Sequence, residues 1–175
     1  MGSIAPHNED TIKEMASYNM TPETSVNLEG DRMAKAVLAL QEYTGKKFDV
    51  IVPIELAGAN TPAAMAAASK LGIVTVDGDY TGRAIPEIVQ ITFNYNGHCL
   101  TPIASVDEWD NECIIKRANN PRTVEHIGKL ISVAGYGLAG QAGMALDGKN
   151  TRDTVIAGTL SECYEAGKCM REAKE

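Results

Sequence analysis

The chain lacks most of the features that mark membrane, secreted or nucleic-acid-binding proteins. No apolar run in its 175 residues approaches the roughly 20 that span a bilayer, and no basic stretch followed by an apolar run marks a signal peptide. Its 16 Lys and Arg are outnumbered by 23 Asp and Glu, for a formal net charge of −7. Nucleic acids and anionic membranes bind clustered Lys and Arg, so neither is an expected partner. We therefore predict a cytoplasmic location.

Cysteine and histidine are also scarce. The four cysteines, Cys99, Cys113, Cys163 and Cys169, match none of the paired zinc spacings, and the three histidines are isolated from them. A chain of this length without export signals does not need disulfides, so we predict free, buried thiols. A catalytic cysteine has no support, and no cofactor is certain.

Aromatic residues make up only 5% of the chain, but the rest of the composition is ordinary. Hydrophobic residues account for 44% and charged residues for 22%, which is typical of globular proteins and unlike disordered ones. Chains of this length commonly form one domain with a real core. We therefore predict a single α/β domain over residues 1–175.

The centre of the chain has the pattern of a βαβ unit. Residues 48–54 are β-branched and nearly uninterrupted, which predicts a central parallel strand buried on both faces. A helix follows, capped by Asn60 or Thr61 and closed by Gly72. Residues 73–76 then predict a second strand. Such units place both strands parallel, with a right-handed crossover.

Further elements flank this unit. Helical spacing of apolar residues predicts helices over 9–17, 28–43, 123–133 and 151–173, with another beginning near residue 84. Alternation predicts strands over 91–95, 99–106 and 112–116. The predicted fold is α/β, with a parallel βαβ core, added antiparallel strands and a long C-terminal helix that docks on the sheet or on a partner. An antiparallel edge beside a long helix also favours a homo-oligomer.

Glycine is concentrated in residues 134–143, AGYGLAGQAG. This spacing resembles phosphate-cradling loops, but the Lys-Ser/Thr ending of a P-loop is missing, as is a clean preceding strand. Small residues that let a helix approach closely explain the run at least as well. Close packing is therefore the favoured interpretation.

Polar side chains gather where the two parallel strands end. Open α/β sheets bind ligands beyond the carboxyl ends of their strands, so these side chains should converge: Glu55, Asn60, Asp77, Asp79, Arg83 and Glu87. Carboxylates beside one guanidinium suit either a divalent cation or a polar heterocycle, whose carboxylate or imide oxygen Arg83 could bind with two hydrogen bonds. A structural alternative is that Asp77 or Asp79 caps the following helix and Arg83 pairs with Glu87 one turn on.

These residues lie in a run with a family resemblance. The run VPIELAGANTPAAMAAASKLGIVTVDGDYTGRAIPEIVQITF, residues 52–93, resembles the S-methyl-thiohydantoin desulfurase-like proteins, which are often associated with hydantoinases. The segment TVIAGTLSECYEAGKCM, residues 154–170, is similar to that family's closing helix. Family members are usually longer, which implies that this chain corresponds to a fragment or a shortened relative.

The resemblance implies hydrolytic chemistry on a small cyclic amide or imide, such as a hydantoin or an S-methyl-thiohydantoin. The expected catalytic residues are then Asp77 or Asp79 to activate water, Arg83 to steady the developing anion, and Glu87; the expected substrate-binding residues are Glu55, Asn60 and Thr61. A metal-dependent hydrolase built on the same carboxylates is one alternative. Another is a non-catalytic assembly domain that serves a hydantoinase-type partner through the C-terminal helix and the glycine-rich surface.

Overall fold

The computed structural model describes residues 7–26 and 29–173, and the chain forms two compact units within it. The helices are α1 (Glu9–Ser17), α2 (Glu29–Thr44), α3 (Asn60–Leu71), α4 (Thr92–Tyr95), α5 (Pro121–Ala134), α6 (Gly148–Thr154) and α7 (Thr159–Glu172). The strands are β1 (Val50–Ile51), β2 (Val74–Thr75), β3 (Gly78–Asp79), β4 (Ile103–Val106), β5 (Glu112–Ile115), β6 (Gly140–Gly143) and β7 (Ile156–Ala157). Helices and small sheets, parallel and antiparallel, confirm the α/β class.

The first unit, Met1–Phe48 with Cys99–Met144, is built on an antiparallel sheet of order β5-β4-β6. Helix α2 packs on this sheet, where Ala39, Leu40 and Ala104 form a buried cluster. The approach is close, because a Cβ added at Gly140 would lie 2.6 Å from the backbone carbonyl carbon of Arg32. The glycine-rich run thus forms strand β6 and lets α2 pack against it, as the packing interpretation predicted.

The second unit, Asp49–His98 with Ala145–Glu175, contains the predicted βαβ. Strands β1 and β2 pair in parallel and α3 connects them, which confirms the parallel core. Strand β3 pairs antiparallel with β7, joining the middle of the chain to its C-terminal third. All seven candidate site residues belong to this unit. The prediction of a single domain over residues 1–175 stays a prediction.

Most of the helices predicted from the sequence are present, and capping residues define several of their ends. Helix α1 has the predicted bounds, and Asn8 caps it by accepting from the Thr11 N–H at 2.8 Å. Helix α3 ends at Gly72, whose φ of 67° is the left-handed conformation that glycine adopts readily. Asn120 caps α5. Residue 28, the predicted first residue of α2, lies outside the described residues.

Three predicted elements around the parallel strands were wrong. Strand β1 has two residues, and Val50 is 42% exposed, so it is not a strand buried on both faces. Residues 91–95 form the helical turn α4 in place of a strand, since Ile91 and Phe93 are buried while Tyr95 is 78% exposed. The helix predicted to start near residue 84 is only a 3₁₀ turn, Ile88–Gln90.

The C-terminal helix is shorter than predicted. The chain first forms α6, which Asp147 caps, and then crosses to β3 as strand β7. Gly158, with a φ of 85°, turns the chain into α7 at Thr159. The apolar stripe predicted from residue 151 onward is therefore divided between a strand and a helix.

Two further findings concern the scarce features of the sequence. The four cysteines are free, as predicted, but all four are exposed, so the expectation of buried thiols was wrong. Among the described residues, no helix is long and apolar enough to cross a lipid bilayer.

Candidate functional site

A buried carboxylate, Glu55, lies just beyond strand β1. Its side chain is 8% exposed, and its Oε1 accepts a hydrogen bond from Asn60 Nδ2 at 2.5 Å. Its Oε2 accepts from the backbone N–H of Ile85 at 2.6 Å. Both bonds involve a charged acceptor in a buried setting, where such bonds are stronger than neutral ones. Glu55 therefore fixes the start of α3 and the backbone at Ile85.

Thr61 also bonds the loop between Glu55 and helix α3. Its hydroxyl donates to the Glu55 carbonyl oxygen at 2.9 Å and accepts from the Ala57 N–H at 3.1 Å. The N-cap of α3 is Ala59, which makes no side-chain cap bond. Asn60 and Thr61 thus brace the loop before the helix, and the prediction that one of them caps α3 was wrong.

A second buried carboxylate, Asp79, has no exposed surface. Its Oδ2 accepts from the N–H and hydroxyl of Thr81 at 3.0 and 2.8 Å and from the Gly82 N–H at 2.9 Å. Its Oδ1 accepts from the Thr159 hydroxyl, the first residue of α7, at 2.8 Å. Asp79 closes a turn, in which Gly82 has a φ of 65°, and ties that turn to α7.

Arg83 stands between these two anchors. The Arg83 N–H donates to the Thr81 hydroxyl oxygen at 3.3 Å, and Arg83 Nε donates to the Ala84 carbonyl oxygen at 3.1 Å. The side chain is exposed. Because Asp79 holds Gly82 on one side and Glu55 holds Ile85 on the other, the backbone that presents the guanidinium is fixed at both ends.

Asp77 is exposed and lies at the amino end of α7. Its Oδ2 accepts from the Ser161 hydroxyl at 2.7 Å and its Oδ1 accepts from the Ser161 N–H at 3.0 Å. These hydrogen bonds, the hydroxyl first, lower the pKa of the Asp77 carboxyl below its usual range. Gly158 provides no side-chain cap for α7, so Asp77 serves as one from a distant part of the chain.

The first two thirds of the chain match a family of known proteins. The family model described as "S-Me-THD-like, N-terminal domain" matches residues 1–117, which include Glu55, Asp77, Asp79, Arg83 and Glu87. The chain belongs to the S-Me-THD-like family. The α7 partners of its carboxylates, Thr159 and Ser161, lie beyond the matched residues.

A solved structure resembles this S-Me-THD-like chain in fold. The crystal structure of a protein from Chromobacterium violaceum matches it with a TM-score of 0.72 and 24% sequence identity. The match covers 81% of this chain but only 41% of the Chromobacterium protein, so the chain spans less than half of that protein's length. No curated protein matches the chain in sequence.

The predicted site residues of the S-Me-THD-like chain fall into two hydrogen-bonded sets. Glu55, Asn60 and Thr61 form one, which reaches the 81–87 loop at Ile85. Asp79 and Arg83 are linked in the other through Thr81. The Asp77 carboxylate belongs to neither set and accepts hydrogen bonds from Ser161. Glu87 is half-buried and directly precedes the 3₁₀ turn, so Arg83 and Glu87 do not lie one turn apart on an α-helix.

Aromatic side chains lie beneath the loop. Tyr80 is buried, which raises the pKa of its phenol to about 12. Its ring meets Phe93 edge to face, with centroids 5.8 Å apart, and Phe93 in turn contacts His98. Thr92 donates from its N–H to the Tyr80 carbonyl oxygen at 2.9 Å. Tyr80 and Phe93 are thus part of the buried core of the unit that carries the loop.

The carboxylates do not form a metal site. No group of three His, Cys, Asp or Glu side chains with metal-binding geometry occurs in residues 7–26 and 29–173. Asp79 and Glu55 direct their oxygens to backbone and side-chain donors, and Asp77 directs its oxygens to Ser161. The residues present therefore do not fit the divalent cation that was one interpretation of their spacing.

Sequence reasoning missed the donors that hold these carboxylates. Thr81, Thr159 and Ser161 were not among the predicted residues, although each contacts Asp79 or Asp77. An Asp followed two residues later by Thr is a local turn signal that could have identified the Thr81 contact. No local pattern indicates the Thr159 and Ser161 contacts, because those residues lie in the C-terminal third.

Proposed function

We propose that this chain is part of an enzyme that acts hydrolytically on a five-membered cyclic amide, such as a hydantoin or an S-methyl-thiohydantoin. Family membership supports the substrate class. The observation that carries the proposal is the fixed loop: two buried carboxylates hold the backbone at Gly82 and Ile85, on both sides of an exposed Arg83.

Arg83 is assigned the role of binding the ring of the substrate. A guanidinium presents several N–H donors in a rigid plane, which suits the adjacent carbonyl and nitrogen of a cyclic amide or its anion. A donor fixed in advance stabilises charge that develops on a ring oxygen or sulfur, because little reorganisation is needed during the reaction. Asp79 and Glu55 are positioning residues in this scheme, with Asn60 and Thr61 behind Glu55.

Water activation is assigned to Glu87. Asp79 has no exposed surface, and Asp77 is held by Ser161 with a lowered pKa, which makes it a weak base. Glu87 is only half-buried and follows Arg83 closely in the chain. In this proposal the Glu87 carboxylate takes a proton from water, whose oxygen attacks the ring carbon that bears the sulfur or oxygen substituent. The tetrahedral intermediate then breaks its C–S bond and releases methanethiol from an S-methyl-thiohydantoin, or breaks the ring C–N bond of a hydantoin, and Glu87 returns its proton to the leaving group.

A thermal-shift series tests the binding half of this proposal. Hydantoin, thiohydantoin and S-methyl-thiohydantoin are added to the wild type, to Arg83→Ala and to Arg152→Ala, which removes another exposed arginine of the same unit. A ligand that binds only the native state raises the melting temperature. We expect a ring compound to stabilise the wild type and Arg152→Ala but not Arg83→Ala. Equal stabilisation of all three proteins would remove Arg83 from the site.

A turnover assay on the stabilising compound tests the chemical half. Glu87→Gln keeps the size of the side chain and removes its basicity, so kcat should fall about 100-fold or more while binding remains. Unchanged kcat would exclude Glu87 as the base. Binding without turnover in the wild type would support a binding role for this chain in place of catalysis.

The surface of α7 supports a second candidate function, a non-catalytic assembly domain. Tyr164 and Met170 are 64% and 68% exposed, and Thr159 is its only buried residue. We propose that this helix contacts a hydantoinase-type protein or a second copy of the chain. Sedimentation of the wild type, Tyr164→Ser and the control Tyr95→Ser tests self-association. Loss of a dimer in Tyr164→Ser alone would support this function, and a monomeric wild type would leave only the hetero-partner.

A further inference from the structure

The first unit contains a cavity that is lined by three aromatic residues. Its volume is about 660 Å³, within the range of roughly 300–1,000 Å³ that small-molecule sites occupy. Trp109, the single tryptophan, lines it together with Tyr18 and Tyr136. None of these residues belongs to the proposed ring site.

Two helix C-termini form much of the wall. Helix α1 ends with Asn19 N–H bonded to the Ala16 carbonyl at 3.0 Å and Met20 N–H bonded to the Met15 carbonyl at 2.9 Å. This is a Schellman motif, with Asn19 left-handed at a φ of 59°. Tyr18, Asn19 and Met20 all line the cavity. A helix C-terminus carries a partial negative charge, which favours a cation.

Helix α5 ends at the same cavity in the same way. Tyr136 N–H bonds the Val133 carbonyl at 2.9 Å, and Gly137 N–H bonds the Ser132 carbonyl at 3.0 Å. Tyr136 therefore occupies the left-handed position of a Schellman motif, at a φ of 54°. Glycine is the usual residue there, because a side chain is strained in this conformation. A tyrosine is held at this position with glycines on both sides, which indicates that its ring has a use.

The described residues that line the cavity carry charge of one sign. Asp107 is among them and accepts hydrogen bonds from the N–H groups of Trp109 and Asn111, and these described lining residues include no Lys, Arg or His. Burial and a hydrogen bond that the phenol donates to the Glu14 carboxylate raise the pKa of Tyr136. His7 also contacts this edge, since its Nε2 lies 2.5 Å from the Tyr136 carbonyl oxygen at the end of α5. An anionic ligand would meet a carboxylate and two negative helix ends.

The indole of Trp109 adds a further indication. Its Nε1 is buried and has no hydrogen-bond partner, which normally costs free energy that a phenylalanine at this position would avoid. This N–H is thus available to an acceptor on a ligand, and Trp109 also contributes its ring to the lining of the cavity. The face of tryptophan attracts cations more strongly than that of tyrosine or phenylalanine.

From these observations we infer that the cavity is a binding site for a small organic cation of the substituted-ammonium class. Aromatic faces from Trp109, Tyr18 and Tyr136 surround the cation, and Asp107 with the two helix C-termini provides the negative potential. Sites for such cations commonly combine aromatic rings with a nearby negative charge.

Trp109 is the only tryptophan, so its fluorescence reports directly on this cavity. The full chain is titrated with tetramethylammonium and with choline, at an ionic strength held constant with sodium chloride. Dimethylbutanol, in which carbon replaces the charged nitrogen of choline, is the uncharged control. We expect a saturable change with the cations, at least about tenfold tighter than any change with dimethylbutanol. No saturable change with either cation, or equal affinity for dimethylbutanol, would overturn the inference.

Variants then separate the site from the fold. Tyr136→Gly removes the ring and relieves the left-handed strain, so the melting temperature should be kept or raised by up to about 4 °C while the cation binds several-fold more weakly. Trp109→Phe, read by calorimetry, should fold and bind about threefold more weakly. Tyr95→Ser, which removes an exposed tyrosine outside the cavity, is the control. If Tyr136→Gly folds and binds the cation with unchanged affinity, the inference is contradicted.

Discussion

The carboxylate of Asp77 caps helix α7 through Ser161, accepting from its N–H at 3.0 Å and from its hydroxyl at 2.7 Å. The Gly158 N–H also donates to the Asp77 carbonyl oxygen at 2.9 Å, so both the backbone and the side chain of this residue hold the start of the helix. Together with the bond from Thr159 to Asp79, these contacts join the 77–87 segment to the C-terminal third.

The cap predicts a pH-dependent stability. Hydrogen bonds from Ser161 lower the pKa of Asp77, so its stabilisation is fully present above the ordinary Asp pKa of about 3.9 and is lost as the pH falls through the lowered value. Asp77→Asn should melt below the wild type at pH 7, and the difference should shrink in acid. Thermal melts from pH 7 to about 2.5 measure this.

A matched variant controls for charge alone. Asp153→Asn removes an exposed carboxylate from α6 in the same unit. It should leave the melting temperature nearly unchanged across the same pH range. If both variants lose equal stability, the net charge of the chain is responsible and the cap is not.

Removal of the buried Asp79 carboxylate should destabilise the protein strongly. Asp79→Ala leaves the Thr81 and Gly82 N–H groups without their acceptor, which we expect to lower the free energy of unfolding by roughly 3 kcal/mol. Asp79→Asn should lose about half as much, because its remaining oxygen can accept from both groups while its amide faces the Thr159 hydroxyl. Urea unfolding measures both values.

The Thr159 side chain provides the control for this result. Thr159→Ser keeps the hydroxyl and should lower the free energy of unfolding less than Thr159→Val, which removes the hydroxyl at nearly constant volume. Asp79→Ala with stability equal to the wild type would show that the 81–82 turn is held by other contacts.

The glycine-rich run predicts a packing effect. In Gly140→Ala the new methyl group would lie 2.6 Å from the Arg32 carbonyl carbon and 2.7 Å from the Met33 nitrogen, so α2 must move away from β6. We expect a loss of about 2 kcal/mol in the free energy of unfolding. Gly137→Ala is the control, because nothing lies within 4 Å of its added Cβ. Equal stability of the two variants would contradict the close approach of α2.

The helices could be predicted from the sequence because their signals are local. Apolar spacing defined α1, α2 and α5, and the left-handed Gly72 marked the end of α3. Strands β4 and β5 were also found, although β4 begins later than the alternation suggested, at Ile103.

The elements that failed depend on distant partners. The apolar residues of 91–95 alternate as in a strand, but the chain makes a helical turn there, in which the Thr92 N–H donates to the Tyr80 carbonyl and the Thr92 hydroxyl donates to the Thr154 carbonyl. The stripe after residue 151 has helical spacing, yet Ile156 pairs with Asp79. A pairing over such a separation leaves no local pattern.

The candidate site could be located but not assembled from the sequence. The strand-end rule indicated Glu55, Asp79 and Arg83, and the structure links the two carboxylates to the loop around the arginine. Their roles could not be predicted, because a carboxylate that holds backbone N–H groups and one that faces solvent look alike in sequence. Burial separates them: Asp79 is inaccessible and Asp77 is exposed.

The central claim is that Glu55 acts on a ring ligand through Arg83, by holding the Ile85 N–H at 2.6 Å. A double-mutant cycle tests it directly, with calorimetric Kd values of the stabilising ring compound for the wild type, Glu55→Gln, Arg83→Ala and the double variant. We predict that Glu55→Gln weakens binding about tenfold in the wild type and has almost no effect once Arg83 is absent. Equal effects of Glu55→Gln in both backgrounds, or full ring binding without Arg83, would contradict the claim.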